Sequence, residues 1–198
     1  MLDVEVIADP AAALSALDPI RSRLLAELTE PASAAALASR MGITRQKVNY
    51  HLRALEDHHL VAEAGERRWG GLKERLLVAT AASYVVSPGA LGAVAADPDR
   101  SDDRLSASYL IALSARAVRE VGELWRAAHT KNKRLATLSI DTAISFRSPA
   151  DHAAFTRELS NAVTSLAARY QDESDSQGRT YRLVVAAYPK PKEDAKCP

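Results

Sequence analysis

The sequence predicts an α+β chain, mainly helical, in two parts: helices closed by a β-hairpin over residues 1–88, then a helix-strand-helix-strand order over residues 105–190. Three observations predict it. Apolar residues recur at three- and four-residue spacing in several stretches, Gly70-Gly71 splits a run of β-forming residues, and two later segments alternate apolar with polar. The stretch SPGALGAVAADPDRSDDR mixes Pro, Gly and Asp without periodicity, so residues 89–104 are expected to be a linker, and residues 191–198 a flexible tail.

Composition narrows the function classes. At 198 residues and 47% hydrophobic content the chain has enough apolar surface for two small domains. No apolar run approaches the roughly 20 residues of a membrane span, and MLDVEVIADP lacks a basic start and an apolar core, so a cytoplasmic location and no membrane partner are expected. The single cysteine, Cys197, excludes an internal disulfide or a multi-thiolate metal site. The net charge of +1 conceals an uneven distribution: two basic against six acidic residues from Met1 to Pro31, but eight against five from Arg40 to Arg75. Locally concentrated positive charge suits a reading face on a neutral body better than indiscriminate coating of nucleic acid.

Leu2, Val4 and Val6 alternate with Asp3 and Glu5, the period of a short strand. Asp9-Pro10 and Asp18-Pro19 each place a good N-cap before a proline that is tolerated at the first helical position, so two helices start there. In the second, Ile20, Leu24, Leu25 and Leu28 share one face, and Glu30-Pro31 ends it. Ser33 caps an alanine-rich helix through Arg40, anchored by Leu37 and Met41; Gly42 supplies the left-handed residue that stops it, and Thr44 caps the next. There Val48, Leu52 and Leu55, with His51 beside them, form the buried stripe. LVAEAGERRWGGLKERLLVATAASYVV then reads as two antiparallel strands whose tip carries Arg67, Arg68, Trp69 and Lys73. Helix, turn, helix and basic hairpin together make a winged helix.

In the second part, a helix from Leu105 to Lys131 carries Leu105, Tyr109, Leu113, Val121, Leu124 and Trp125 on one side, and Arg116, Arg119, Glu123 and Arg126 largely on the other. The apolar side is the expected homodimer seam. Ala136, Leu138, Ile140, Ile144 and Phe146 mark a strand; Ser148-Pro149 opens a helix with Phe155, Leu159, Ala162, Val163, Leu166 and Tyr170; TYRLVVAAYP is a second strand after the polar break QDESDSQG.

The helix after Thr44 carries the side-chain types that read DNA. A helix fits the major groove, where Arg or Lys suits guanine and Asn or Gln suits adenine. Arg45, Gln46 and Asn49 are the base-contact candidates; Thr44, Lys47, Tyr50 and Arg53 are expected to hold phosphates, and Arg67, Arg68 and Lys73 to reach the flanking backbone or minor groove of double-stranded DNA.

The stretch DPIRSRLLAELTEPASAAALASRMGITRQKVNYHLRALEDHHLV resembles the winged-helix domain of bacterial ArsR-type transcriptional regulators, in its DPIRSRLL opening helix, LASRMGI turn, VNYHLRALE reading helix and basic wing leading into LLVATA. The resemblance covers about the first 85 residues and implies a dimeric DNA-binding repressor, with His51 as the family's structural helix histidine. Two departures matter. The helix ASAAALASRM lacks the paired cysteines of metal-sensing members, so thiolate metal sensing is not carried over; and His59 stands where a glycine commonly follows the reading helix.

Other classes stay in view. The rival to a sequence-specific regulator is a winged-helix protein-interaction scaffold without sequence-specific DNA binding. His129, Asp141 and His152 have no ligand-like spacing, Gly70-Gly71 lacks the Lys-Ser/Thr of a phosphate loop, and no nucleophile stands beside a base, so no metal site, cofactor or enzyme is expected. A small-molecule effector bound by the second half, with Trp125 and Tyr109 as lining candidates, stays open.

Overall fold

The computed structural model describes residues 1–69, 72–171 and 179–191. The expected turn at Gly70-Gly71, the outward reach of the Trp69 side chain, the polar break over residues 172–178 and the tail from residue 192 lie outside the described residues. The chain forms an α+β structure of two compact units, Met1–Leu135 and Ala136–Pro198.

The first unit begins with strand β1 (Glu5–Ile7) and helices α1 (Pro10–Leu17) and α2 (Pro19–Glu27). The two Asp-Pro caps form as expected: the Asp9 carboxylate accepts the Ala12 N–H at 2.7 Å, and Asp18 accepts those of Ile20 and Arg21 at 2.9 and 3.0 Å. Helix α3 (Ala34–Met41) starts on Ser33 and stops at Gly42, whose φ of 67° is the left-handed conformation a residue without Cβ adopts at least cost. Helix α4 (Arg45–Asp57) starts on Thr44. Leu24, Leu28, Leu37, Val48 and Leu55 are almost completely buried and make the core of this helical cluster.

The wing is wider than a hairpin. Strands β3 (Val61–Trp69) and β4 (Leu72–Ala79) pair antiparallel with a bulge between Glu63 and Gly65, and the two-residue strand β2 (Ala32–Ser33) adds to the free edge of β4. Strand β5 (Tyr84–Val86) does not continue the hairpin; it runs parallel to β1, with Glu5 opposite Tyr84. The N-terminal strand therefore starts later than its alternation predicts, and Leu2 makes only an isolated bridge to Ala81. The Tyr84 hydroxyl joins the two sheets by donating to the Leu60 carbonyl at 2.8 Å and accepting the Ala81 N–H at 3.2 Å.

The compact units do not divide at the expected linker. Residues 88–104 contain short 3-10 turns, within Pro88–Val94, which kinks at Gly92, and at Pro98–Arg100, and bond to helix α5 (Ala107–Thr130). Asp97 caps its own turn through the Asp99 N–H at 3.1 Å and accepts from Arg116 Nη2 at 2.8 Å. Pro and Asp build capped turns as readily as linkers.

Helix α5 begins after Ser106, so Leu105 lies outside it and is 98% exposed. Its inward face is the small and basic one. Ala112, Ala115 and Gly122 are buried, Arg116 binds Asp97, and Arg126 reaches Glu5 and the Val6 carbonyl. A Cβ on Gly122 would stand 2.8 to 3.1 Å from side-chain atoms of Val6, so the close approach of α5 to β1 depends on that glycine. Val121 and Leu124 are exposed on the opposite side; Tyr109, Leu113 and Trp125 are half-buried.

In the second unit the regular element among the described residues is helix α6 (Pro149–Tyr170), capped by Ser148 on the Asp151 N–H. Phe146 packs edge-on to His152 and, tilted, against Phe155. The two strands expected around Ala136–Phe146 and Thr180–Tyr188 are corrected here: neither segment joins a ladder among the described residues. Alternation marks a face to bury, but a strand exists only where its backbone finds a partner.

Candidate nucleic-acid interface

The site is built on α4. Val48, His51, Leu52 and Leu55 turn inward, and this fixes the roll of the helix so that Arg45, Gln46, Asn49, Tyr50 and Arg53 line one outer depression. Arg45, Gln46, Tyr50 and Arg53 are exposed and Asn49 is half-buried. Thr44 is exposed too, but its hydroxyl already accepts the Lys47 N–H at 3.3 Å, which holds the N-terminal end of the helix in shape.

Below the helix, His51 is buried, and its Nδ1 makes no hydrogen bond among the described residues. The Asp18 carboxylate is 3.9 Å away, too far for one. Burial holds the His51 pKa below its ordinary value, against the attraction of Asp18, and Arg21 and Lys47 add to the lowering. Asp18 is itself held below the usual carboxylate range, first by the Arg21 backbone N–H. His51 is thus a packing residue beneath the outer face of α4.

The wing lies beside α4. Arg68 and Lys73 are directly opposite across the β3–β4 ladder, on the face that also carries Glu66 and Arg75. Lys73 is relieved by Glu66, at 2.9 Å, while Arg68 makes no ion pair among the described residues; like charges placed opposite are unfavourable unless an anion comes between them. Arg67 is exposed on the other face of β3.

Arg75 was not among the sequence candidates, and it organises this corner. Its Nη1 donates to Glu56 on α4 at 3.3 Å and its Nε to Glu63 on β3 at 2.9 Å, tying α4 to both strands of the wing. Hydrogen bonding to Glu56, then to Glu63, raises its pKa further. A cleft of about 190 Å³ lies between helix and wing, lined among others by Arg45, Asn49, Arg53, Glu56 and Arg75. The signal was available: Leu77 and Ala79 are apolar at two-residue spacing, and continuing that period backwards puts Arg75 on the inward face.

Among the described residues no three His, Cys, Asp or Glu side chains come together as a metal-ion group, and no helix is long and apolar enough to cross a membrane.

A family model described as a helix-turn-helix domain matches residues 16–64, the span from the end of α1 to the start of β3. The chain therefore contains a helix-turn-helix DNA-binding domain of the kind used in transcription regulation. No curated protein matches the chain.

Proposed function

We propose that the protein is a homodimeric, sequence-specific transcriptional regulator, acting as a repressor, that places α4 in the major groove. Arg45, Gln46 and Asn49 read base edges; Thr44, Lys47, Tyr50 and Arg53 hold phosphates; Arg67, Arg68 and Lys73 on the wing engage the flanking backbone or minor groove. The two copies meet through the outer side of α5, where Val121 and Leu124 stand exposed beside Trp125.

One observation carries the reading. Arg75 and Arg116 are neutralised within the chain, the first by Glu56 and Glu63 and the second by Asp97 and Asp99, whereas Arg45, Gln46, Asn49 and Arg53 make no side-chain hydrogen bond among the described residues and share one face. Unsatisfied donors grouped on a helix inside a helix-turn-helix domain suit base edges and phosphates. Two copies are needed because one helix contacts only a few base pairs, and symmetric half-sites multiply affinity and discrimination. Repression follows from the resemblance to ArsR-type regulators, and the interaction-scaffold alternative is not favoured by the matched domain.

The test is selection of bound sequences from a random DNA pool, followed by titration of variants. Arg45→Ala and Asn49→Ala should each weaken binding to the selected palindrome by roughly 5- to 100-fold and change binding to random DNA little, while Arg68→Ala weakens both. Equal losses on both DNAs for all three variants would remove the base-reading assignment.

A further inference from the structure

The second unit is short of partners for what it carries. Helix α6 is 22 residues long, bears Phe155, Leu159, Val163 and Leu166 at helical spacing, and has no buried residue. Helices of this kind owe most of their stability to packing of the apolar face. Before and after it, Leu138 and Ile140 are more than four-fifths exposed, and Tyr181 and Leu183 about two-thirds, on segments that enter no ladder among the described residues.

The exposed area points the same way, wherever the two units sit. The chain exposes 15432 Å². Two separate compact bodies of the masses of Met1–Leu135 and Ala136–Pro198 would together expose about 10,800 Å². Counting every undescribed residue as fully extended accounts for at most about 2,500 Å² of the difference. Roughly 2,000 Å² is left over, the amount each partner contributes to an obligate dimer interface.

We infer that the two C-terminal segments, Ala136–Phe146 and Thr180–Tyr188, become strands only in the dimer, in one sheet completed by the same segments of a second copy and covered by both copies of α6. This rests on the homodimer proposed above and adds a second interface to the α5 seam. One chain brings two β-capable segments and one helix, and a lone two-stranded ribbon is marginal in water. Two chains bring four strands and two helices, a two-layer arrangement with a core of its own. A two-fold axis through such a sheet pairs a strand with its own copy antiparallel, so residue i lies opposite residue j and j opposite i, and the apolar face of one copy continues into the same face of the other. The apolar face Ala136, Leu138, Ile140, Ile144, Phe146, interrupted once by Thr142, suits that self-pairing.

The full chain tests this by sedimentation and segment-resolved amide hydrogen exchange, above and below the dimer midpoint. The expected result is a dimer in which residues 136–146 and 180–188 are protected and lose protection on dilution, while α2 and α4 keep theirs. A Leu138→Glu/Ile140→Glu double variant should raise the dimer dissociation constant by roughly 100-fold or more and leave protection in α2 and α4 unchanged. Three outcomes overturn the inference: a monomer whose C-terminal segments are protected, which means cover from within the chain; a dimer whose segments exchange freely; or a dimer that the double variant leaves intact. A Val121→Glu/Leu124→Glu variant reports the α5 seam separately, and binding to a single DNA half-site reports the reading helix, so failure here is distinguishable from failure of the proposed function.

Discussion

Asp18 and His51 show how one contact sets a pH response beneath the reading helix. Asp18, lowered in the fold, stabilises it at pH above the ordinary carboxylate value of 3.8, and that stability is lost as pH falls through its lower folded value. His51, also lowered, stays neutral in the fold while the unfolded chain takes up a proton near 6.5, so stability falls on acidification below that point. Both effects have the same sign, and His51 acts first. His51→Leu should flatten the decline below 6.5, and at neutral pH it should be neutral or stabilising by about 1 kcal/mol, because it removes a buried nitrogen that lacks a hydrogen bond. Urea midpoints measured at half-unit pH steps check this; an unchanged slope below 6.5 would mean that His51 is not the titrating group. Arg75 gives the second prediction at this scale. Arg75→Ala leaves Glu56 and Glu63 uncompensated beside the reading face, so DNA binding should weaken several-fold at low salt and less at high salt, although Arg75 is itself consumed by its two carboxylates. A salt titration of the variant beside the parent separates this from simple loss of fold.

Elements are where local and long-range information part. Helix starts were legible because a cap is chosen within four residues: Asp9, Asp18, Ser33, Thr44 and Ser148 all cap as their spacing implies. The C-terminal end of α4 follows the same logic. His59 has φ 57°, its N–H bonds to Glu56 at 2.9 Å, and the Leu60 N–H bonds to Leu55 at 2.9 Å, so the helix ends in a left-handed cap held by a residue that has a Cβ. His59 is exposed, and His59→Gly should stabilise the first unit by about 1 kcal/mol, read as a shift in the denaturant midpoint. What was not legible depends on partners distant in sequence. The two residues of β2 follow from the free edge of β4, the parallel pairing of β1 with β5 spans nearly eighty residues, and the inward turn of the basic face of α5 depends on Asp97, Asp99 and Glu5. Gly122 is silent in the sequence because nothing near it names Val6. Gly122→Val should push α5 off β1 and cost about 1–3 kcal/mol, checked by faster hydrogen exchange in both elements.

For the whole molecule, the proposed dimer would convert a modest face on α4 into a specific one, and salt dependence measures that conversion. In the proposed complex each copy brings about four cations to phosphates, Lys47, Arg53, Arg67 and Arg68. One copy on a half-site should then show a slope of log K against log salt of about −4, and two copies on a palindrome about −7. Arg45 and Asn49 contribute to discrimination, so Asn49→Ala should lower affinity for the palindrome at every salt concentration with little change in slope, whereas Arg68→Ala should reduce the slope by about 1 per copy. A variant that splits the dimer should move the palindrome slope to the half-site value while the half-site affinity itself stays put, since α4 and the wing belong to the first compact unit, Met1–Leu135. If instead the slope on the palindrome already equals that on the half-site, the two copies do not bind together, and the charge on α4 and the wing serves one helix reading one groove.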